Sequence, residues 1–148
     1  MSWTFKKLFI RQFLIIFFII KNLMLRTAQR IYLHQYLDVI DNQSQHLLGY
    51  LSDFSTEGMM FISRESFALP TEKTVCIVNN LTQPAIIIYA HITVVWQRPN
   101  LNPEMNCVGC RFIALDNYNR GLLEQMGREI GFADNIEVYR EGIVTMNN

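Results

Sequence analysis

The chain has 148 residues, of which 50% are hydrophobic and 18% are charged, so it can build one domain with a buried core and is not a disordered protein. Thirteen Lys and Arg residues balance thirteen Asp and Glu residues, which argues against a protein that coats DNA, RNA or another polyanion. The balance conceals a division along the chain, because residues 1–30 contain six basic residues and no acidic one. Residues 31–148 contain seven basic against thirteen acidic residues, a net charge of −6.

Residues 1–23 form a basic and apolar segment. Its apolar run, residues 13–20, lies between Arg11 and Lys21, and the nine uncharged residues between these two are too few for a bilayer core that requires ~20. No small-residue cleavage site of a secretory signal follows the run. Three interpretations are open: a helix on the membrane surface, a helix packed on the domain or on a second copy, and an upstream stretch that is not translated, with Met24 as the start.

Six short strands are predicted between residues 31 and 114. Hydrophobic and polar residues alternate in the first of them, and the sixth contains a similar alternation. The six segments are residues 31–39, 47–54, 58–62, 74–78, 86–96 and 108–114. All four prolines fall between these segments, where they cannot interrupt a ladder of hydrogen bonds. The pattern predicts a small antiparallel barrel or sandwich.

A helix is predicted after the last strand. Apolar residues recur every four positions, at Tyr118, Leu122, Met126 and Ile130, with Leu123 beside them. Asp116 or Asn117 can cap the start of this helix, and Gly131 is a suitable end. We expect the helix to close one end of the barrel, which makes residues 24–131 one domain. Residues 132–148 form a C-terminal tail with only a faint strand pattern.

The three cysteines, Cys76, Cys107 and Cys110, are an odd number in a chain with enough apolar residues for a core, which favours a reducing cytoplasm over a disulfide framework. Cys107 and Cys110 have the spacing of a metal-binding or redox pair. They lie in a strand-like segment, however, where residues three apart face opposite sides. No second Cys or His pair stands at chelating spacing, so we expect no metal site.

Two short motifs carry side chains that suit a nucleotide. Arg26 and Arg30 stand four residues apart just ahead of the first predicted strand, and Asp53, Ser55 and Gly58 form a D-x-S-x-x-G turn between the second and third. A guanidinium pairs with phosphate oxygens or with the O6 and N7 edge of guanine, and it also stacks on a purine. A carboxylate accepts from the N1–H and amino groups of guanine, a serine hydroxyl adds a further partner, and glycine permits a positive φ or close approach. Each motif alone is common, but together they predict a site for a guanine nucleotide with phosphates.

On these motifs the chain resembles the PilZ domain family, whose members are bacterial receptors for the second messenger cyclic di-GMP. The resemblance covers about residues 25–131 and includes the long strand that ends at Trp96 and residues 109–112 of the last strand. It implies a six-stranded antiparallel barrel with a C-terminal helix, and cyclic di-GMP as ligand with no other cofactor. The ligand-binding residues that it implies are Arg26, Arg30, Asp53, Ser55 and Gly58.

The resemblance also implies a mechanism, in which the ligand draws the leader that carries the arginines onto the barrel and a protein partner receives the signal. Motility or biofilm formation is the implied process. The alternative is a PilZ-like adaptor that keeps its partner interface but binds little nucleotide. We expect no catalysis, because no nucleophile–base pair is evident. The expected location is the cytoplasm or the inner face of the membrane, with peripheral membrane contact through residues 1–23, no DNA or RNA partner, and a monomer or homodimer.

Three further side chains near these motifs have less specific expectations. Trp96 ends the buried face of the fifth strand, which favours the core over a position beside the ligand. Arg111 points opposite to its apolar neighbours in the sixth strand, so we expect it on the outer surface near the ligand. Met59 and Met60 are expected in the core.

Overall fold

The computed structural model describes residues 3–24 and 29–133. In chain order their helices and strands are α1 (Trp3–Met24), β1 (Ile31–Asp41), β2 (Leu47–Phe54), β3 (Gly58–Ser63), β4 (Thr71–Asn79), β5 (Ile86–Pro99), β6 (Asn106–Ala114), α2 (Asn117–Ile130) and β7 (Gly131–Ala133). All six predicted strands and the predicted helix are present. Strands β4 and β5 extend further than their alternation of hydrophobic residues indicated.

Strands β1 to β6 close into an antiparallel barrel. Their hydrogen-bonded order is β2-β3-β6-β5-β4-β1, and β1 pairs back to β2. Closure gives each of the six strands a neighbour on both sides. The prediction of a six-stranded antiparallel barrel with a C-terminal helix is therefore confirmed, and the sandwich alternative is wrong.

The interior of the barrel is filled by alternate residues of its strands, because successive side chains of a strand point to opposite faces. In β5, Ile88 and Ile92 are fully buried, whereas Ile87 and Tyr89 are exposed. Fully buried side chains from the other strands meet them in the core: Val39, Leu51, Phe61, Ile77 and Val108.

Strand β5 departs from this alternation near its end. Val94 pairs with Cys110 of β6, but Trp96 pairs with Gly109, so two residues of β5 advance against one of β6. This is a β-bulge at Val95, which reverses the faces of the residues that follow it. Trp96 therefore leaves the core and is only half-buried. The expectation of a core position for Trp96 is wrong.

Helix α2 begins at a cap formed by Asp116. The carboxylate Oδ1 of Asp116 accepts a hydrogen bond of 2.8 Å from the backbone N–H of Asn119. This bond, together with a second from the Asn119 side chain, lowers the pKa of Asp116 below its ordinary value. At the other end, the N–H of Gly131 donates to the carbonyl of Gly127, and the helix ends at Ile130 as predicted.

Most of the predicted face of α2 is turned to the barrel, since Met126 is buried and Leu122 and Ile130 pack against the core, but Tyr118 is an exception. Tyr118 is 75% exposed, while the buried residues are Asn119, Leu123, Met126 and Gly127. A polar contact places Asn119 on the buried side: the Oδ1 atom of Asn119 accepts a hydrogen bond of 2.8 Å from the backbone N–H of Tyr89 in β5. The helix is thus anchored to the barrel wall through a buried amide.

A seventh strand, which the sequence did not predict, follows α2 directly. Gly131–Ala133 pair antiparallel with residues 31–33 of β1, and the ring of Phe132 stacks on Tyr32 with 5.7 Å between the centroids. Three residues are too few to show an alternation of hydrophobic residues. The faint strand pattern predicted further along the tail lies in residues 134–148, outside the described residues.

Helix α1 occupies the basic and apolar N-terminal segment. Every residue from 6 to 16 is exposed, so this part of α1 is not packed on the barrel. Among the helices in the described part of the chain, none is both long and apolar enough to cross a membrane.

Candidate nucleotide-binding site

A cavity of about 160 Å³ lies where the β2–β3 turn meets β5 and β6. Four of the five residues that the resemblance implied as ligand-binding line it: Arg30, Asp53, Ser55 and Gly58. The fifth, Arg26, lies outside the described residues. The leader (residues 25–30) and the turn are separated in the sequence by β1 and β2. The pairing of these two strands brings them together, since Ile31 is the partner of Phe54.

The turn at residues 53–58 is held by hydrogen bonds at both ends. The N–H of Ser55 donates to the carbonyl of Gly58 at 2.8 Å, and the Oγ of Ser55 accepts from the N–H of Glu57 at 3.2 Å. The carbonyl of Glu57 in turn accepts from the N–H of Phe112 in β6 at 2.9 Å. The hydroxyl of Ser55 accepts one bond within its own turn, which leaves its O–H able to donate into the cavity.

Gly58 is required by the packing of the strands. A Cβ atom at this position would lie 2.0 Å from the carbonyl oxygen of Cys110, because the backbones of β3 and β6 approach closely here. No glycine among the described residues has a positive φ, so the positive-φ explanation of this glycine is wrong. Gly58 therefore allows the backbones of β3 and β6 to approach closely beside the cavity, where the turn enters β3.

Asp53 reaches the cavity from the barrel wall. The residue is only 2% exposed, and it pairs with Tyr32 of β1 and Met60 of β3. A buried carboxylate is costly unless donors or a cation surround it. Arg30 lines the same cavity, so the buried carboxylate of Asp53 and a basic side chain of the leader share it.

On the opposite side of the cavity, the indole ring of Trp96 packs against Gly109. A Cβ atom at Gly109 would lie 1.9 Å from the indole of Trp96, so the ring rests directly against the backbone of β6. The guanidinium of Arg98 lies 5.2 Å from the centroid of the same ring, within the range of a cation–π contact. The bulge at Val95 is what turns Trp96 toward the cavity, and both residues line it.

Arg111 and Met60 also line the cavity. Arg111 is exposed, which agrees with its expected position on the outer surface near the ligand. Met59 is in the core as predicted, but Met60 is half-buried beside the cavity, so the prediction for Met60 is wrong. Glu57, which the motifs did not single out, lines the cavity as well, and so does Trp96, for which the strand pattern favoured the core. For Trp96 a signal existed: adjacent apolar residues at positions 94–96 break the alternation and are typical of a bulge.

The cysteines lie where the strand pattern placed them. Cys110 belongs to the core, and burial raises the pKa of its thiol to about 12. Cys107 lies on the other face of β6, where its thiol donates to the Oδ1 of Asn100 at 3.6 Å. Within residues 3–24 and 29–133, no group of three or more His, Cys, Asp or Glu side chains is arranged to hold a metal ion.

A family model described as the PilZ domain matches residues 24–127, most of the chain. The chain therefore belongs to the PilZ domain family, a family of cyclic di-GMP receptors whose domains bind rather than catalyse.

Among solved structures, the fold is similar to that of the Bacillus subtilis inhibitor of motility, MotI (DgrA), with a TM-score of 0.54. The two sequences are 15% identical, and the match covers 68% of this chain and 48% of the other. The chain thus spans about half the length of that structure, and the likeness is one of fold. No curated protein matches the chain significantly.

Proposed function

We propose that this PilZ domain binds cyclic di-GMP in the cavity between the leader and the barrel, and that the bound form signals to a protein partner. The observation that carries the proposal is the convergence of Arg30 with Asp53, Ser55 and Gly58 on one cavity. Arg26, four residues before Arg30, completes the pair of leader arginines.

The chemistry of the lining residues matches the parts of the ligand. The guanidinium of Arg30 suits a phosphodiester or the O6 and N7 edge of guanine, and the carboxylate of Asp53 suits the N1–H and amino edge. The indole of Trp96 offers a flat face on which a guanine base can stack. Each charge-assisted hydrogen bond contributes ~1.5–3 kcal/mol, so a few such bonds with stacking reach the ~8 kcal/mol of micromolar binding.

Ligand binding then joins two parts of the chain. Arg26 and Arg30 belong to the leader, whereas Asp53 and Ser55 belong to the barrel. A ligand that contacts both fixes the leader on the barrel surface, which changes the surface presented to a partner. Hydrogen exchange tests this step: cyclic di-GMP should protect the backbone amides of residues 25–30, and unchanged exchange there would refute it.

The binding proposal is tested by calorimetric titration of the full chain with cyclic di-GMP, with GTP as the comparison nucleotide. Arg30→Ala should weaken cyclic di-GMP binding about 10- to 100-fold, equivalent to ~1.4–2.8 kcal/mol. Arg64→Ala is the matched control, because Arg64 is an exposed arginine beyond the opposite end of β3. Equal affinity of wild type and Arg30→Ala would overturn the site assignment. No binding by the wild type would favour the adaptor alternative.

The stacking surface is tested separately. Trp96→Leu should weaken cyclic di-GMP binding about 5- to 150-fold, from the ~1–3 kcal/mol of one base–aromatic stack, whereas Trp96→Phe retains a ring and should lose less. Titration of both variants by calorimetry distinguishes the loss of the ring from the loss of bulk. Equal losses in the two variants would show that stacking on this residue does not contribute.

A further inference from the structure

Helix α1 exposes an unusual amount of apolar surface. Within residues 6–16, where every side chain is exposed, seven large apolar residues are each more than half exposed: Leu8, Phe9, Ile10, Phe13, Leu14, Ile15 and Ile16. A contiguous exposed apolar surface of this kind marks an interaction site. The cavity and the motifs of the proposed function do not use it.

The exposed residues of α1 divide into two sides. At about 100° per residue, Lys6, Lys7 and Arg11 fall within an arc of about 140°. The opposite arc of about 160° contains Gln12 as its single polar residue; its apolar residues are Leu8, Phe9, Phe13, Ile15 and Ile16. Ile10 and Leu14 lie among the basic residues. The helix therefore has one side that carries all its charge and one side that is almost wholly apolar, the pattern of a helix that lies in the plane of an interface.

The charges favour one occupant for this surface. Residues 1–30 contain no acidic side chain, so α1 of a second copy could not pair with Lys6, Lys7 and Arg11. Anionic lipid headgroups neutralise these three side chains while the acyl chains receive the apolar side. Residues 31–148 carry a net charge of −6, so attraction to such a surface is concentrated at the N-terminal end of the chain.

We propose that α1 docks this PilZ domain on an anionic lipid surface, with its axis parallel to the membrane plane. The apolar side enters the boundary between headgroups and acyl chains, and the basic side faces the headgroups. The leader, residues 25–30, follows α1 directly, so docking places the proposed nucleotide site close to the membrane. The proposal is independent of whether that site binds cyclic di-GMP.

The test is flotation of the full chain with vesicles of phosphatidylcholine alone and of phosphatidylcholine with phosphatidylglycerol. We expect binding to the anionic vesicles that weakens as salt is raised, and far weaker binding to the neutral ones. The double variant Lys6→Gln/Lys7→Gln should lower the partition coefficient about 25-fold, at about fivefold for each charge. Arg64→Gln removes an exposed charge outside α1 and should leave the partition coefficient unchanged. Equal binding to both vesicle types would overturn the electrostatic part of the proposal.

A matched pair of substitutions tests the orientation of the helix. Leu14 and Ile16 are 59% and 55% exposed, but Leu14 lies among the basic residues and Ile16 on the apolar side. Ile16→Gln should lower partitioning into anionic vesicles at least about tenfold, and Leu14→Gln by less than about threefold. Thermal unfolding of both variants should match wild type, which separates membrane binding from folding of the barrel. Equal losses in the two variants would refute the flat orientation.

Sedimentation velocity distinguishes a lipid surface from the competing occupant, which is a second copy of the chain. A monomer that floats with anionic vesicles supports the proposal. A chain that dimerises through α1 and does not float would overturn it and assign the apolar side to a second copy. Cyclic di-GMP affinity in solution should be the same in the α1 variants as in wild type, so this proposal and the proposed nucleotide site can fail separately.

Discussion

The two halves of the proposed site, the turn at residues 53–58 and the leader, are held in different ways. The turn is bonded to itself through Ser55 and to β6 through the carbonyl of Glu57. Arg30 is held through the strand that follows it, where Ile31 pairs with β2 and β7. The conformation of the turn is therefore fixed when the barrel folds, whereas we expect the position of the leader to be fixed only when the ligand binds. Substitutions in the turn should change stability and binding together, and substitutions in the leader should change binding alone.

The largest effect should come from the glycine that supports the turn. Gly58→Ala places a methyl group against the carbonyl oxygen of Cys110, so the backbones of β3 and β6 must separate. We expect a loss of about 3 kcal/mol in the free energy of unfolding, measured by chemical denaturation, with loss of cyclic di-GMP binding. Gly121→Ala is the control, since a Cβ there meets nothing within 4 Å in the middle of α2, and it should stabilise the chain by about 0.5–1 kcal/mol. A neutral Gly58→Ala would contradict the close approach.

The leader should show the opposite behaviour. Arg30→Ala, expected to weaken cyclic di-GMP binding by one to two orders of magnitude, should change the free energy of unfolding without ligand by less than about 0.5 kcal/mol. The measurement is chemical denaturation without ligand and at one fixed ligand concentration, since the wild type gains more stability from the ligand than the weaker-binding variant. A large loss of stability in the free variant would show that Arg30 is part of the folded framework, and the distinction between the two halves would fail.

Ser55 should combine both effects at a smaller size. Ser55→Ala removes the acceptor for the N–H of Glu57 and a donor into the cavity. We expect a loss of about 1 kcal/mol in stability and about a fivefold weaker affinity for cyclic di-GMP. Ser52→Ala, in the strand that leads into the turn, is a control that should leave both quantities near wild type. If Ser55→Ala alters affinity but not stability, the turn does not depend on its internal hydrogen bond.

The smallest effect should be a pH dependence at the start of α2. Hydrogen bonds from Asn119 lower the pKa of Asp116 in the folded state. A carboxyl with a lowered folded-state pKa contributes stability above its unfolded value of 3.8, and this contribution is lost as the pH falls through the folded value. Thermal unfolding followed from about pH 6 to about pH 3 should therefore show a smaller decrease for Asp116→Asn than for wild type. Parallel pH profiles would refute the cap.

Part of the fold follows directly from patterns along the chain. The period-two segments predict all six barrel strands, and three of the four prolines lie between strands as expected; Pro99 is instead the last residue of β5. Asp116 and Gly131 mark the ends of α2 because capping is a local interaction between neighbouring residues. The two nucleotide motifs could be read from side-chain chemistry alone, and four of their five residues line one cavity.

Other features depend on contacts between segments that are distant in the sequence. The bulge at Val95 is set by the pairing of β5 with β6, and it moves Trp96 from the predicted core to the cavity. The burial of Asn119 in place of Tyr118 is set by the bond between Asn119 and the backbone of β5. The short β7 exists because residues 31–33 of β1 offer it a partner. No periodicity within one segment encodes these contacts, and only the run of apolar residues at positions 94–96 indicates one of them, the bulge.

The sequence by itself determined the basic and apolar N-terminal segment, the strand order along the chain, the helix ends and the chemistry of the motifs, because each depends on residues close together in the chain. Only the tertiary structure decided where β5 departs from its alternation and which residues share a cavity with Arg30. It also decided that Gly58 is needed for strand packing rather than for a positive φ. Side-chain packing and strand register depend on how all the strands of the closed barrel pair with one another, and no single segment of the sequence encodes that pairing.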